Sequence, residues 1–315
     1  MNVLRYMLRR TAGALAVLIV LSAGVFTATE VLPGDAVDVV AGVDASPAQR
    51  EQLRTELGLD RSPADRYREW AWDAVHGDLG TGLVGRRPVA DVVTDRLPDS
   101  MLLAGLASAV AAPLAVVLGL GAGMRAGRAA DRWITTATQI AVGIPEFVTA
   151  GLLLAVLAVW LDAFPRVSLV PLGQSPLQAP ETLVLPVLTL CVVGSAAATR
   201  LIRATVADIR TTPYIESARL NGVRGIRLAV RHVLPGALAP AVQALALTTG
   251  GLVGGTVVVE SVFGYPGIGH ELQQAVAARD VPMVQGIALA LCAVMLLMLL
   301  VGDVVANLLD PRARA

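Results

Sequence analysis

Residues with side chains suited to catalysis are few and scattered in this 315-residue chain. The three histidines, His76, His232 and His270, lie far apart in the sequence. His270-Glu271 begins like a zinc-protease motif, but Gln274 stands where the second histidine would be needed. The Gly-x-Ser-x-Gly pattern of a serine nucleophile is absent from the sequence. The sequence therefore indicates no catalytic residues and no metal site.

The absence of lysine narrows the chemistry further, because all 25 basic residues are arginines. A P-loop requires a lysine on the nucleotide phosphates, so this chain has no standard nucleotide site, and Schiff-base chemistry is excluded as well. We expect no cofactor in the chain itself; if ATP is used, another subunit binds it. Cys191 and Cys292 lie in apolar segments and are expected to be packing residues rather than a disulfide or a metal pair.

The composition indicates an integral membrane protein. Hydrophobic residues make up 55% of the chain, and the mean hydropathy is +0.66. The net charge is zero, which gives no reason to expect a nucleic-acid partner.

Apolar runs long enough to cross a bilayer predict an all-α protein with six transmembrane helices. The first run holds 19 residues, which rise about 28 Å as a helix and match a hydrocarbon core of about 30 Å. Its basic start is also typical of a signal peptide, but the long run and the poor cleavage signal favour a retained helix. The predicted spans are Thr11–Thr29, Met101–Met124, Ile134–Leu161, Thr182–Ile202, Gly236–Val259 and Val281–Val301.

A polar segment separates the first two spans. Between Glu30 and Arg96 there are 13 acidic residues and 8 arginines, a net charge of −5. Residues 46–75 show helical spacing, with possible apolar faces formed by Leu53, Leu57, Tyr67, Trp70 and Trp72. We therefore expect a small helical extracytoplasmic segment rather than a disordered linker. The chain divides into residues 1–98, with the first helix and this segment, and residues 99–315, with the other five helices.

The distribution of arginines predicts the orientation. Arginines in short loops of membrane proteins concentrate on the cytoplasmic side. Two loops and both terminal segments of this chain are arginine-rich, whereas the short loops on the other side hold Arg166 and Arg279 alone. Both termini are therefore predicted to be cytoplasmic. The arginines that set this asymmetry are Arg5, Arg9, Arg10, Arg125, Arg128, Arg132, Arg219, Arg224, Arg227, Arg231, Arg312 and Arg314.

The most unusual stretch is the basic loop, residues 203–235, between the fourth and fifth spans. Thr212-Pro213 predicts the start of a short helix, with the proline at the first helical position. Gly222 is placed to end that helix with a positive φ. A second helix is predicted from about Val223 to Val233, before Pro235 stops it.

The order of residues within the basic loop resembles the EAA motif of ABC-importer permeases. The resemblance rests on Glu216-Ser217-Ala218, then Gly222, then His232-Val-Leu-Pro, with Ser217 and His232 departing from the usual residues. Further stretches of the chain are similar to the dipeptide, oligopeptide and nickel permeases of the first-permease type. They are Leu32–Asp35, His76–Gly80, Arg96–Pro98, Val259–Gly269, Arg279–Asp280 and Leu309–Arg312.

This resemblance implies a type I ABC-importer permease fold in the cytoplasmic (inner) membrane of a bacterium. It also implies a second homologous permease, two ABC ATPase subunits carrying ATP and magnesium, and an extracytoplasmic solute-binding protein. The expected function is ATP-driven import of dipeptides or oligopeptides. Alternatives are a nickel, metal-chelate or glutathione importer of the same architecture and, with less support, a secondary transporter.

By the same resemblance, residues of the basic loop couple the permease to its ATPase. Ala218 and Gly222 are small enough to allow close approach to the ATPase, and Glu216 is placed to meet a basic group or a helix N-terminus there. The residues expected to act in coupling are Glu216, Ser217, Ala218, Arg219, Gly222, Leu234 and Pro235.

Glu146 and two glycines are candidates for the translocation path. Glu146 lies inside the third predicted span, where an acid is costly unless it faces water or a partner. It is expected either to face the path and favour substrates with an ammonium group, or to be a protonated or paired structural acid. Gly251 and Gly255 belong to a glycine-rich stretch of the fifth span, which favours close helix packing or a pore-lining face.

Overall fold

A computed structural model describes residues 3–31, 37, 45–56, 60–169 and 175–309. Within these ranges the chain is helical, apart from turns, connecting loops and one isolated bridge between Thr81 and Pro88. Three irregular helical turns occur, a π-turn at Leu154–Trp160, a 3-10 turn at Pro176–Gln178 and a π-turn at Ala229–Val233. The α-helices are α1 Val3–Val31, α2 Pro47–Glu56, α3 Pro63–Val75, α4 Val89–Met124, α5 Ala129–Gly143, α6 Glu146–Leu153, α7 Pro180–Ile209, α8 Pro213–Leu220, α9 Gly225–Leu228, α10 Leu234–Phe263, α11 Ile268–Ala277 and α12 Val281–Leu309.

Five of the described helical segments are long and apolar enough to cross a membrane, and a sixth span is formed if the bent pair α5–α6 counts as one. The predicted all-α membrane fold is thereby confirmed. The helix of the second span is longer than predicted, because it begins at Val89 rather than Met101.

The third span is not the single helix that the sequence predicted over Ile134–Leu161. It is bent by 102° between Gly143 and Glu146. Ile144 has an extended conformation with φ −88° and ψ 125°, and Pro145 follows it. Proline disfavours helical geometry at the preceding residue and cannot donate to the helical hydrogen-bond ladder, which accounts for the break at this point.

The contacts group the chain into two compact units, and the first contains residues 1–100 and 264–294. Within it, the ring of Phe26 in α1 meets the ring of Tyr67 in α3 edge-on, with centroids 5.4 Å apart. The Tyr67 hydroxyl lies 2.9 Å from Ser22 Oγ, and Arg66 forms an ion pair with Glu30. The N-terminal helix is thus packed against the helical segment that follows it.

Short helices form in the polar segment as predicted, at α2 and α3. Leu53, Tyr67 and Trp70 are half-buried, whereas Trp72 is 68% exposed and stacks beside His76 instead of joining an apolar face. Leu57 lies outside the residues whose side chains are described, as do the motifs at 32–35 and 309–312.

Residues that are far apart in the sequence meet in the first unit. The hydroxyl of the buried Tyr265 donates a hydrogen bond to the carbonyl of Asp99 at 3.0 Å. Glu271 forms ion pairs with both Arg87 and Arg96, at 3.1 and 3.3 Å. The sequence division at residue 98 did not anticipate that residues 264–294 pack with the N-terminal hundred.

The second unit contains residues 101–263 and 295–315. Close packing of α4 on α7 depends on two glycines. A Cβ at Gly119 would lie 2.8 Å from Ile202, and one at Gly123 would lie 2.5 Å from Val206. Both distances are too short for a side chain, so the glycines let the two helices touch. Gly127, four residues after Gly123, lies in the turn after α4 and has φ +84°.

Candidate functional site

The basic loop begins with α8, which starts where the sequence predicted. Thr212 is the N-cap residue, and Pro213 occupies the first turn, where a missing N–H costs nothing. The Thr212 hydroxyl donates back to the carbonyl of Ile209 at 2.8 Å instead of accepting from an amide of α8. This bond ties the beginning of α8 to the end of α7.

A Schellman motif ends α8 at Gly222. Gly222 has φ +84°, and its amide donates to the carbonyl of Arg219 at 3.0 Å. The amide of Val223 donates to the carbonyl of Ala218, also at 3.0 Å. The predicted positive φ is confirmed, and the chain reverses direction here because a glycine makes that conformation inexpensive.

The second helix of the loop does not stop at Pro235, contrary to the prediction. The chain forms α9, passes through the π-turn Ala229–Val233 and continues directly into α10, of which Pro235 is the second residue. A proline in the first turn of an α-helix has no amide that the helix requires, so the helix continues through it.

One face of the loop is buried against the chain's own spans. Ile215 and Val233 are fully buried, and Ala218 and Leu228 nearly so. They pack with side chains of α4, α7 and α10, namely Ala115, Ala198, Ile202, Val206, Ala237, Ala241 and Ala244. Ala218 was expected to approach the ATPase. Its small side chain instead allows α8 to lie close to the spans of this chain.

The opposite face of the loop is exposed and carries the remaining predicted residues. Glu216, Ser217, Arg219 and Gly222 are all exposed, as is Pro235, while Leu234 is half-buried. Neither Glu216 nor Arg219 has an ion-pair partner in the part of the chain that the structure describes. Two large apolar side chains, Leu220 and Ile226, are 84% and 82% exposed on the same loop. The basic loop therefore combines one buried apolar face with one exposed face of mixed charge and apolar character.

Contacts that the sequence analysis missed brace the loop. The hydroxyl of Tyr214 in α8 lies 2.9 Å from Nδ1 of His232 in the π-turn, and their rings stand 5.8 Å apart. Arg210 donates from Nη1 to the carbonyl of Met124 at 3.0 Å, which joins the beginning of the loop to the end of α4. An arginine and a histidine in a basic loop give no sign of such roles in the sequence.

An ion pair anchors the helix that leads into the loop. Arg203 of α7 donates to both oxygens of Asp131 in α5, and Asp131 is 3% exposed. The same carboxylate accepts from the amide of Gly127 and the hydroxyl of Thr135. Seventy-two residues separate the two partners, so a single sequence offered no signal for the pair.

The structure brings together two of the three residues expected in the translocation path. Glu146 is half-buried at the beginning of α6, which packs on α10. A Cβ at Gly255 would lie 2.8 Å from its Oε1. The carboxyl group therefore occupies the space above Gly255. Gly251 lies one turn earlier in α10 and is exposed, with no atom within 4 Å of its Cβ position.

The histidines and cysteines make local contacts. His270 Nε2 lies 2.8 Å from Nε2 of Gln274, and His76 Nδ1 lies 2.8 Å from the carbonyl of Trp72. Neither cysteine forms a disulfide. Among the described residues, groups of three or more histidine, cysteine, aspartate or glutamate side chains suited to a metal are not found. The expected lack of a cofactor stays a prediction.

Comparison with known proteins gives matches over almost the whole chain. Residues 115–315 match the family described as binding-protein-dependent transport system inner membrane component, and residues 3–104 match its N-terminal region. A peptide transport system permease protein of Brucella abortus (strain 2308) is 32% identical over 307 residues, 98% of each chain. A glutathione transport system permease protein of Escherichia coli (strain K12) is 31% identical over 311 residues, 99% of each chain.

Proposed function

Because this chain belongs to the family of binding-protein-dependent transport system inner membrane components, we propose that it forms half of the translocation path of an ABC importer for peptides. The other half is a second, homologous permease subunit. Two ATPase subunits supply the energy by binding ATP and magnesium, and a solute-binding protein delivers the substrate. The names of the Brucella relatives support peptides as the substrate class.

The two-faced basic loop is the observation that carries this proposal. Its inner face, through Ile215 and Ala218, is packed into the spans, while its outer face presents Glu216 and Arg219. A helix held in this way transmits a push on its outer face as movement of the spans, because a packed core shifts as a body instead of deforming. The exposed apolar side chains of Leu220 and Ile226 suit burial in a groove of the ATPase.

The contacts of Arg210 and Arg203 indicate which helices would move together. Arg210 joins α7 to the end of α4, and the ion pair of Arg203 with Asp131 joins α7 to α5. We infer that these helices and the basic loop follow the closing ATPase as one body. The permease pair then opens toward the solute-binding protein, which releases the peptide into the path.

The orientation that this mechanism requires agrees with the arginine distribution. The loops at 125–132 and 203–235 face the cytoplasm with both termini, and the polar segment between the first two spans lies outside. The solute-binding protein then docks on the side of that segment, opposite the ATPases.

Within the path, Glu146 is the group proposed to favour peptides through their ammonium ends. Its carboxyl group lies at the break between α5 and α6 and against the glycine-rich stretch of α10. A peptide carries an ammonium group at its N-terminus, and a carboxylate that faces the path would attract it.

The test is a complex of permeases, ATPases and loaded solute-binding protein in proteoliposomes, with import and ATP hydrolysis measured side by side. Glu216→Lys reverses the charge on the exposed face of α8 and is expected to abolish most import while the spans remain inserted. ATPase subunits should be lost from the complex, or should hydrolyse ATP without response to loaded solute-binding protein.

A matched control is Arg132→Glu, which reverses a charge at an exposed position of α5, outside the basic loop and on the side of the membrane opposite the solute-binding protein. It should leave coupled hydrolysis intact. Equal import by Glu216→Lys and the unmodified complex would remove the basic loop from the coupling path.

Glutathione is the second candidate substrate, because the Escherichia coli relative is named as a glutathione transport permease. Glutathione is a tripeptide-like thiol with two carboxylates and one ammonium group, so the same architecture accommodates it. Direct measurement of the ligand carried by the solute-binding protein separates the two candidates.

A further inference from the structure

A cleft between α5 and α7 has the features of a binding site and takes no part in the coupling described above. Its volume is about 160 Å³. Six of its eight lining residues have polar side chains, although much of the lining surface comes from their apolar atoms. The lining residues are Ile134, Thr135, Thr138, Gln139, Thr199, Arg200, Arg203 and Ala204.

The hydroxyls of Thr135 and Thr138 already donate within α5, so the donors left for a ligand belong mainly to Gln139, Thr199 and Arg200. Arg203 is paired with Asp131, so their charges cancel, and Arg200 adds one further positive charge. Arg200 is exposed, and no acidic group within ion-pair distance is present in the described parts of the chain. The cleft therefore has a net charge of +1 and suits an anion.

A buried hydroxyl gives an independent sign of a missing ligand. Thr199 is one of the residues that line the cleft; it is 1% exposed, and its Oγ1 has no hydrogen-bond partner among the described residues. A buried hydroxyl without a partner is destabilising, and a bound ligand would remove that cost.

The expected position of the cleft, at the boundary of the hydrocarbon core, indicates which class of anion it binds. The uncharged run Thr182–Thr199 holds 18 residues, which rise about 27 Å and match the hydrocarbon core. Glu181 and Arg200 therefore mark the two boundaries of that core. Phosphates of lipid headgroups lie just beyond such a boundary. Trp133 of α5 is exposed, and an exposed tryptophan is typical of the headgroup level.

We propose that this cleft binds the phosphate of an anionic phospholipid, with Arg200 as its charge partner and the Thr199 hydroxyl as a further donor. The proposal rests on the chain crossing a bilayer and does not depend on which solute is transported. Basic pockets between transmembrane helices are suited to such headgroups.

The experiment uses the assembled complex, purified in detergent and incubated with equal amounts of phosphatidylglycerol and phosphatidylcholine. Native mass spectrometry counts the retained lipids. Unmodified complex should retain phosphatidylglycerol in preference to phosphatidylcholine. Arg200→Gln should lower that preference about fivefold, as expected for one arginine near a lipid phosphate. Thr199→Val should lower it by less.

Arg128→Gln is the matched control. Arg128 is an exposed arginine at the beginning of α5, outside the cleft lining, and its substitution should leave the preference unchanged. If Arg200→Gln fails to assemble, Arg200→Lys keeps the charge. Because the charge is kept, Arg200→Lys should retain most of the preference for phosphatidylglycerol, and loss of the preference in that variant would overturn the proposal.

Three outcomes would overturn the proposal. Equal preference in Arg200→Gln and the unmodified complex would mean that Arg200 binds no lipid. Complete displacement of phosphatidylglycerol by inorganic phosphate at the same concentration would identify a site for free anions. Selective loss of the second permease from Arg200→Gln would mean that a protein carboxylate of that subunit is the partner.

Discussion

The guanidinium of Arg203 donates two hydrogen bonds to the carboxylate of Asp131, from Nε to Oδ1 at 2.9 Å and from Nη2 to Oδ2 at 2.7 Å. The pair connects the helix that leads into the basic loop with the helix that follows α4. Bidentate arginine–carboxylate pairs fix orientation as well as distance. This contact makes α5 and α7 neighbours of defined register at the end of α7 that leads into the basic loop.

Breaking the pair should weaken both the fold and the coupling. Asp131→Asn leaves the Arg203 charge without its partner and should lower the free energy of unfolding by about 3 kcal/mol. This value is at the low end of the range for broken buried ion pairs, because Arg203 is one-third exposed. The complex should unfold at a lower temperature in detergent, as followed by light scattering or tryptophan fluorescence. The exchanged pair Asp131→Arg with Arg203→Asp should recover part of the loss; no recovery would argue against a direct pairwise contribution.

Gly222→Val should uncouple transport without disturbing the neighbouring side chains. No atom lies within 4 Å of the Cβ position of Gly222, so the penalty arises from φ +84° and amounts to about 1 kcal/mol or more. Import by the reconstituted complex should fall sharply while the spans stay inserted and the solute-binding protein still docks. Gly222→Asn, which tolerates this φ, should retain most of the activity.

Gly127→Val is the control for backbone strain alone. Gly127 has the same φ of +84° and equally open surroundings, but it lies in the other arginine-rich loop. It should cost similar stability with a smaller effect on import. Equal loss in both variants would mean that strain, and not the end of α8, limits transport.

Gly255→Ala should displace the carboxyl group of Glu146. The added methyl would lie 2.8 Å from Oε1, so the acid must move, whereas Gly251→Ala adds a methyl into open space. Uptake of cationic peptides should fall in Gly255→Ala and in Glu146→Gln, more than uptake of anionic peptides, and Gly251→Ala should differ little from the unmodified protein. The same loss for both classes of peptide would identify Glu146 as a structural acid.

Single cysteines test the orientation in intact cells, in a background without Cys191 and Cys292. Ala64→Cys should react with an impermeant thiol reagent from outside, and Ala130→Cys, in the loop predicted to be cytoplasmic, should react only after the cells are opened. Both positions are exposed, and Ala130 lies outside the basic loop that the ATPase is proposed to cover. Labelling of Ala130→Cys from outside would contradict the predicted topology.

Local features of this fold were predictable from the sequence because their causes are local. The end of α8 follows from a glycine after a short amphipathic stretch, and the spans follow from uncharged runs of bilayer length. The break at Ile144-Pro145 was missed although proline gives a local signal for it, because the run on either side stays apolar.

Contacts between distant residues could not be predicted in the same way. Tyr265 donates to a carbonyl 166 residues earlier, and the partners Asp131 and Arg203 are each one of many charged residues in the sequence. Which face of α8 is buried was likewise not evident, since the small residues Ser217 and Ala218 stand side by side between the charged Glu216 and Arg219. Such choices depend on the packing of whole helices, and hydropathy along a single chain does not report that packing.

The π-turn Ala229–Val233 has a geometric effect on everything that follows it. A π-turn holds about one residue more than an α-helical turn, and successive residues of an α-helix are rotated by about 100° around the helix axis. The side chains of α10 therefore point roughly a quarter-circle away from the directions that they would have in an uninterrupted α-helix starting at Gly225. Removing one residue from this turn would aim Gly251 and Gly255 at a different neighbour while leaving α8 in place. The direction in which the glycine-rich stretch of α10 faces is thus set in the basic loop, five turns of helix away.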